Sequence, residues 1–244
     1  MLKSIAAHCI HQKNHLPLKP STIKIIFGAH DLNLLNEFER EEKVPIKVHV
    51  HADWNVWIKR FDADIALLEL DEELTLTRYI QPSCLWDSLT EPWKNDGVAV
   101  GYGKSEDLTK THENIAKKIE IPFQSQEDCF LKEPELASLG SNRTFCAGAA
   151  DGTGVCIGDS GGGLFIYANN VFYLRGIVSS SLIKIGACDV NNFAIFTNVL
   201  KYTGWIKSFG NDIAFSHQVP FTRLNSNRIS QSNRFSESSY QSPQ

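Results

Sequence analysis

Apolar and β-branched residues gather in short runs over residues 23–27, 46–51, 65–70, 98–102, 116–121, 163–167 and 171–180. Turn-forming residues punctuate them, as in Asn95-Asp96-Gly97 and Ala168-Asn169-Asn170. Runs of this length, with little helical periodicity between them, predict strands. Strands so spaced argue for antiparallel barrels and against an alternating α/β sheet. One stretch, 200–209 with Trp205 and Ile206, reads as a short amphipathic helix. From about residue 213 the composition turns to Ser, Asn, Gln and Arg, too polar to bury the surface that ordering requires. The tail 213–244 is therefore predicted to be disordered.

Composition narrows the setting. The chain has 244 residues, of which 42% are hydrophobic, enough for one large β domain or two small ones. No apolar run is long enough to span a membrane. The formal net charge is -4 and the basic residues are scattered, which argues against a nucleic-acid partner. Six cysteines occur without any C-x-x-C pair, so disulfides in a secreted protein are favoured over zinc. The sequon Asn142-Arg143-Thr144 makes Asn142 a candidate glycosylation site, in keeping with secretion. The first eleven residues lack the sustained apolar segment of a signal peptide. His49 and His51 share one strand face, but no third metal ligand is evident, and they read as an ordinary surface pair. The acidic residues 37–42 read as a solvated loop, not a calcium site. Neither metal nor cofactor is expected.

The chemistry concentrates in Cys156-Ile157-Gly158-Asp159-Ser160-Gly161-Gly162-Gly163. A serine hydroxyl is a poor nucleophile until a base takes its proton and donors stabilise the resulting oxyanion. The surrounding glycines let backbone N–H groups converge on one point. Upstream, Ala6-Ala7-His8-Cys9 offers a base and Asp64, just before Ile65-Ala66-Leu67, offers an acid. A lone histidine after two alanines is usually structural, and an aspartate before an apolar run often only ends a loop. Their joint occurrence with the serine run outweighs both plain readings. Asp62 competes with Asp64 for the acid role. The pattern Gly158-x-Ser160-x-Gly162 also fits a nucleophile elbow, but that fold orders serine, acid, histidine. Only His217 follows Ser160 here, in the polar tail, so the elbow reading fails.

The order His8, Asp64, Ser160 resembles the chymotrypsin-like (trypsin-like) serine proteases. So do Gly28-Ala29-His30-Asp31, Arg78-Tyr79-Ile80-Gln81-Pro82, Gly97-Val98-Ala99-Val100-Gly101-Tyr102-Gly103 and Phe145-Cys146-Ala147-Gly148. The resemblance implies an all-β fold of two six-stranded antiparallel barrels and a C-terminal helix. It also implies three regions: 1–95, an N-terminal barrel remnant and linker; 96–212, the second barrel and helix; and 213–244, the tail. The first barrel is expected to be incomplete, because the chain opens within what would be its third strand.

By the same resemblance, Ser160 is the nucleophile, His8 the general base and Asp64 its orienting acid. Gly158 and Ser160 supply the oxyanion hole. Asp159 would pair with an α-amino group released by activation cleavage, and without one the chain is expected to be zymogen-like or inactive. Gly154 would form the base of the specificity pocket and Ser181 and Ala194 its walls, leaving it uncharged and suited to apolar side chains. Ser179, Ser180 and Ser181 would pair with the substrate backbone. Cys129 with Cys146, and Cys156 with Cys188, match family disulfides. Cys9 matches a cysteine whose partner lies in missing strands, Cys84 one that bonds upstream modules, and pairing of the two with each other stays open.

The phrase 151–156, with Gly163 where a proline is common, is similar to the modular serine proteases of arthropods. The expectation is a secreted, extracellular cascade endopeptidase acting on protein or peptide substrates and open to serpin-type inhibitors. Membrane and nucleic acid are not expected partners. A digestive elastase-like enzyme and an inert fragment that only binds are the alternatives.

Overall fold

The computed structural model describes residues 1–11, 16–58, 60–86, 96–104, 113–184 and 187–210. The tail 213–244 and, within the linker read near 75–96, residues 87–95 with Asn95 among them lie outside the described residues. The chain folds as a mostly β protein with a few short helices, in two halves.

The N-terminal half contains β1 (Leu2–Ile5), a 3-10 turn at Ala7–Ile10, β2 (Ile25–Phe27), β3 (Glu41–Lys43), β4 (Lys47–Val50) and β5 (Ala66–Glu69). Strand β5 is central in an antiparallel sheet ordered β1-β5-β4, and β2 pairs with β3. Its sequence Ala66-Leu67-Leu68 shows no alternation because both faces are covered. Leu67 packs with Ala6, Ile65 and Tyr202, while Ala66 and Leu68 pack with Ala7, Ile10 and Leu70. The Ala7–Ile10 turn is pinned by the same two clusters.

The C-terminal half contains β6 (Gly97–Gly101), β7 (Lys117–Ile121), α1 (Gln126–Lys132), α2 (Pro134–Leu139), β8 (Thr144–Ala147), β9 (Gly163–Ala168) and β10 (Val171–Ser181). The short strands β11 (Ile183–Lys184) and β12 (Ala187–Cys188), then β13 (Ala194–Asn198), a 3-10 turn at Val199–Tyr202 and α3 (Thr203–Lys207) complete it. Six strands form one antiparallel sheet in the order β7-β6-β9-β10-β13-β8. Its two edges meet just past β7 and β8, where Phe123 bridges Ala147 and the Gly148 N–H donates to Pro122 O at 3.0 Å. Ile121, Phe145, Leu164, Val178 and Phe196 fill the interior. The tight connection from β9 to β10 uses Asn169 and Asn170, both with positive φ, as a two-residue hairpin favours.

Several elements depart from the expectation. Residues 41–43 of the acidic stretch form strand β3, whose charges are answered locally: Lys43 reaches Glu41 at 2.8 Å and Glu72 at 2.9 Å. The terminal helix is divided into a 3-10 turn and a five-residue α3. His49 and His51 are not a surface pair. Their side chains are 11% and 14% exposed, too covered to serve as solvated ligands. His49 Nε2 lies 2.6 Å from Glu69 and its ring packs on Phe209, while His51 packs on Tyr202 and Trp205. Both rings thus seat the terminal helix on the N-terminal half.

Disulfides join Cys129 to Cys146, tying α1 to β8, and Cys156 to Cys188, tying the serine loop to β12. Cys9 and Cys84 are free thiols and are not bonded to each other. Cys84 is buried, and its N–H donates to Phe172 O at the start of β10.

Candidate active site

His8 leaves the Ala7–Ile10 turn toward the seam between the two halves, where its ring meets Asp64. The preceding residue, Ala63, has a φ of 54°, a left-handed conformation that is strained for alanine. That turn separates Asp62 from Asp64. Asp64 is wholly buried. Its Oδ2 lies 2.7 Å from His8 Nδ1, and its Oδ1 accepts the His8 backbone N–H at 2.9 Å. Two contacts from the other half complete the shell: Ser179 Oγ donates to Oδ2 at 2.6 Å, and Thr197 Oγ1 donates to Asp64 O at 2.9 Å. Ser179 reaches inward because the β10–β13 register slips between Val178 and Ser180. A bulge of this kind re-aims one side chain.

Burial works against charge on the His8 ring. The Asp64 carboxylate and the adjacent Cys9 sulfur outweigh it and hold the imidazole well above the ordinary histidine range. The Asp64 carboxylate thus stabilises the imidazolium that forms once the ring has accepted a proton. Phe61 packs edge-on against the ring at 5.9 Å. Nε2 faces Cys9 Sγ at 3.5 Å.

Ser160 is exposed at the tip of its loop. That loop rests on the histidine segment through Gly161, whose φ is +80°. A Cβ on Gly161 would lie 2.8 Å from Ile5 Cγ1 and 3.3 Å from Cys9 Sγ, so only glycine permits the approach. Ser160 Oγ makes no hydrogen bond to a described residue, and its N–H and that of Gly158 likewise have no acceptor among them. Two such donors beside a serine are what an oxyanion requires.

The family model for Trypsin matches residues 5–206. The chain belongs to the trypsin family. It is 30% identical to the serine protease gd of Drosophila melanogaster over 239 residues, covering 84% of this chain and 45% of that protein. It is 29% identical to the CLIP domain-containing serine protease B4 of Anopheles gambiae, covering 83% and 57%. With the vitamin K-dependent protein C of Rattus norvegicus it shares 30% identity, covering 84% and 43%. The chain therefore spans about half the length of the curated relatives it matches.

Within this trypsin-family domain Asp159 turns away from Ser160, toward β6. Its carboxylate accepts the N–H groups of Gly103 and Cys156, each at 2.9 Å. A Cβ on Gly101 or Gly103 would collide with it, so both positions must be glycine for the carboxylate to sit there. Burial pushes its pKa up, and the two N–H donors only partly oppose that. No cationic side chain of the described residues pairs with it, and the Met1 ammonium lies elsewhere, against Leu70 O. Asp159 borders a largely apolar cavity of about 550 Å³, also lined by Lys104, Lys117, Gly154 and Val190.

Gly154, Ser181 and Ala194 meet around a smaller adjoining cavity with Val190, Asn192 and Asp189. Asp189 was not anticipated from the sequence. It is 8% exposed and accepts Asn192 Nδ2 at 2.8 Å, which adds a carboxylate beside the pocket expected to be uncharged. Asn142 is exposed in the turn before β8, while Thr144 of its sequon is buried and bonded to Ser141.

Sequence reasoning also missed the side-chain role of Ser179 and the fate of Asp62. Asp62 receives Arg143 through two nitrogens, at 3.0 and 2.5 Å, and the Ser141 hydroxyl at 2.7 Å. This clamp docks the acid-bearing loop on the opposite half. No spacing signal joins positions so far apart in the chain, so only the fold reveals them. Among the described residues no group of His, Cys, Asp and Glu is arranged to hold a metal ion.

Proposed function

We propose that this chain is the catalytic part of a secreted serine endopeptidase of the regulatory cascade type, acting through His8, Asp64 and Ser160. One observation carries the reading: a partly exposed His8 is bonded to the wholly buried Asp64, and the loop resting on the histidine segment through Gly161 presents an exposed serine and two N–H donors with no acceptor among the described residues.

The roles follow those of the family's triad. Ser160 Oγ attacks the scissile carbonyl carbon while His8 Nε2 takes its proton. Asp64 keeps the ring in the tautomer with Nδ1 protonated and stabilises the imidazolium. The oxyanion sits between the N–H groups of Gly158 and Ser160. Collapse breaks the C–N bond as His8 returns the proton to the leaving amine. Water, activated by the same histidine, then hydrolyses the acyl-enzyme and restores the serine.

Asp159 gates this chemistry in our reading. A cation brought to its carboxylate fixes the 156–160 loop and with it the oxyanion donors. The uncharged Gly154 base favours an aliphatic or otherwise apolar side chain before the scissile bond. Buried Asp189 is already engaged by Asn192 and does not present itself to a substrate cation. The inert, binding-only alternative draws its support from the same Asp159, which has no cationic partner among the described residues.

Mass-spectrometric profiling of a peptide library tests both parts, with Ser160→Ala as the control. Ser160-dependent cleavage after small apolar residues is expected. Cleavage after Arg or Lys contradicts the specificity, and cleavage unchanged in Ser160→Ala contradicts the mechanism.

A further inference from the structure

The surroundings of Asp159 contain a cation that the reaction scheme leaves unused. Strands β6 and β7 are antiparallel neighbours, and Gly101 lies directly opposite Lys117 in their register. Directly opposed residues project to the same face of a sheet, with Cβ positions about 4.5–5.5 Å apart. At Gly101 that face is occupied: a Cβ there would collide with the Asp159 Oδ1 atom. Lys117 therefore stands on the face that holds the Asp159 carboxylate, one strand further out, and it borders the same cavity. Its flexible four-carbon stem spans the width of a strand. The missing side chain at Gly101 leaves nothing in between.

In this structure the Lys117 ammonium is turned outward, 2.9 Å from Glu113 Oε1, with its side chain 53% exposed. Glu113 is 13% exposed, so only the lysine side of this pair is open to water, which weakens the pair without abolishing it. The carboxylate of Asp159 offers a different situation: it is half-buried, it has two N–H donors and no counterion among the described residues, and a cation reaching it would be less screened than at the open surface. Among the described residues the charged groups that border the cavity are Lys104, Lys117 and Asp159. Lys104 follows β6 itself, with its N–H bonded to Ile157 O. Only Lys117 has the cross-strand register that aims it over Gly101.

We propose that Lys117 is an internal counterion for Asp159, exchanging Glu113 for the half-buried carboxylate across Gly101 and so ordering the oxyanion loop without a cleaved N-terminus. The proposal rests on the reading of Asp159 as the gate of the site. It converts the expected on–off behaviour into a graded one, in which the uncleaved chain has basal activity set by where Lys117 sits.

The direct test is the titration of the Asp159 carboxyl by ¹³C NMR in the full 244-residue chain. The variants are Lys117→Met, Lys104→Met and Glu113→Gln, with their folding checked by circular dichroism. An opposite charge in contact lowers a carboxyl by about 1–3 pH units. Lys117→Met is expected to raise the Asp159 midpoint by that amount, Lys104→Met to leave it in place, and Glu113→Gln to lower it. An unchanged midpoint in Lys117→Met, or a shift produced by Lys104→Met instead, overturns the proposal.

A second readout separates the two layers of the argument. The rate of Ser160 labelling by a fluorophosphonate is expected to fall at least about tenfold in Lys117→Met, the population change equivalent to one unit of midpoint. It is expected to rise in Glu113→Gln. If the midpoint follows Lys117 while labelling ignores both Lys117→Met and Asp159→Asn, the pair exists. The gate reading, and the regulation built on it, is then overturned.

Discussion

Two carboxylates, the wholly buried Asp64 and the half-buried Asp159, meet very different surroundings in this molecule. Asp64 is enclosed by His8 from one half and by Ser179 and Thr197 from the other, and both oxygens have partners. Asp159 has two backbone N–H donors, no counterion among the described residues and an apolar cavity beside it. The first arrangement is closed and needs nothing more. The second leaves room for a cation. A closed His8–Asp64 pair and an Asp159 without a counterion among the described residues can therefore coexist, because different parts of the chain surround the two carboxylates.

The largest effect should come from the closed site. Asp64→Asn removes the charge that orients His8 and is expected to lower the acylation rate of a peptide ester by about 10⁴-fold. The same variant should lower the His8 pKa, since the anion that raises it is gone, moving the alkaline rise of the rate to lower pH. A loss below tenfold would mean that Asp64 is not the orienting acid. Asp159→Asn should follow, costing about 10²–10³ in the same rate, the scale of one oxyanion donor lost. If the rate is unchanged, the gate is not needed.

Smaller effects probe the shell around each acid. Ser179→Ala removes a hydrogen bond to a buried carboxylate and is expected to cost about 1.5–3 kcal/mol in a denaturant titration. Asp62 lies near Asp64 in sequence but answers to Arg143, which holds its carboxyl below the usual range. Its stabilisation is therefore present above the unfolded value of about 3.9 and disappears as pH falls through the lower folded value. Asp62→Asn should cost about 1 kcal/mol at pH 7, because water screens the partly exposed pair. At low pH, below both values, the cost should vanish. A penalty that persists there would point to packing.

The comparison also explains what was legible in the sequence. The candidates His8, Asp64 and Ser160 could be named because each sits in a dense local phrase, and the structure brings His8 and Asp64 together. Most of the expected strands could be read from apolar runs, since β5 and β10 are buried enough to be nearly continuous. Strand β3 was hidden because it is all charge, and β8 and β13 because polar Thr144, Thr197 and Asn198 interrupt them. Helix α1 carried a signal that went unused, Ser125 capping Asp128 N–H ahead of an acidic first turn. The two histidines at 49 and 51 misled because a strand face says nothing about which helix will cover it. Ser179, Asp189 and Lys117 act through register, a bulge and a cross-strand neighbour, which exist only after folding.

The measurement closest to the central claim is fluorophosphonate labelling of the intact chain, with the modified residue located by peptide mass spectrometry. Labelling confined to Ser160, lost in Ser160→Ala and strongly slowed in Asp64→Asn, is the expected result. Labelling at another residue, or labelling of Ser160 that ignores Asp64, would contradict the account of this site.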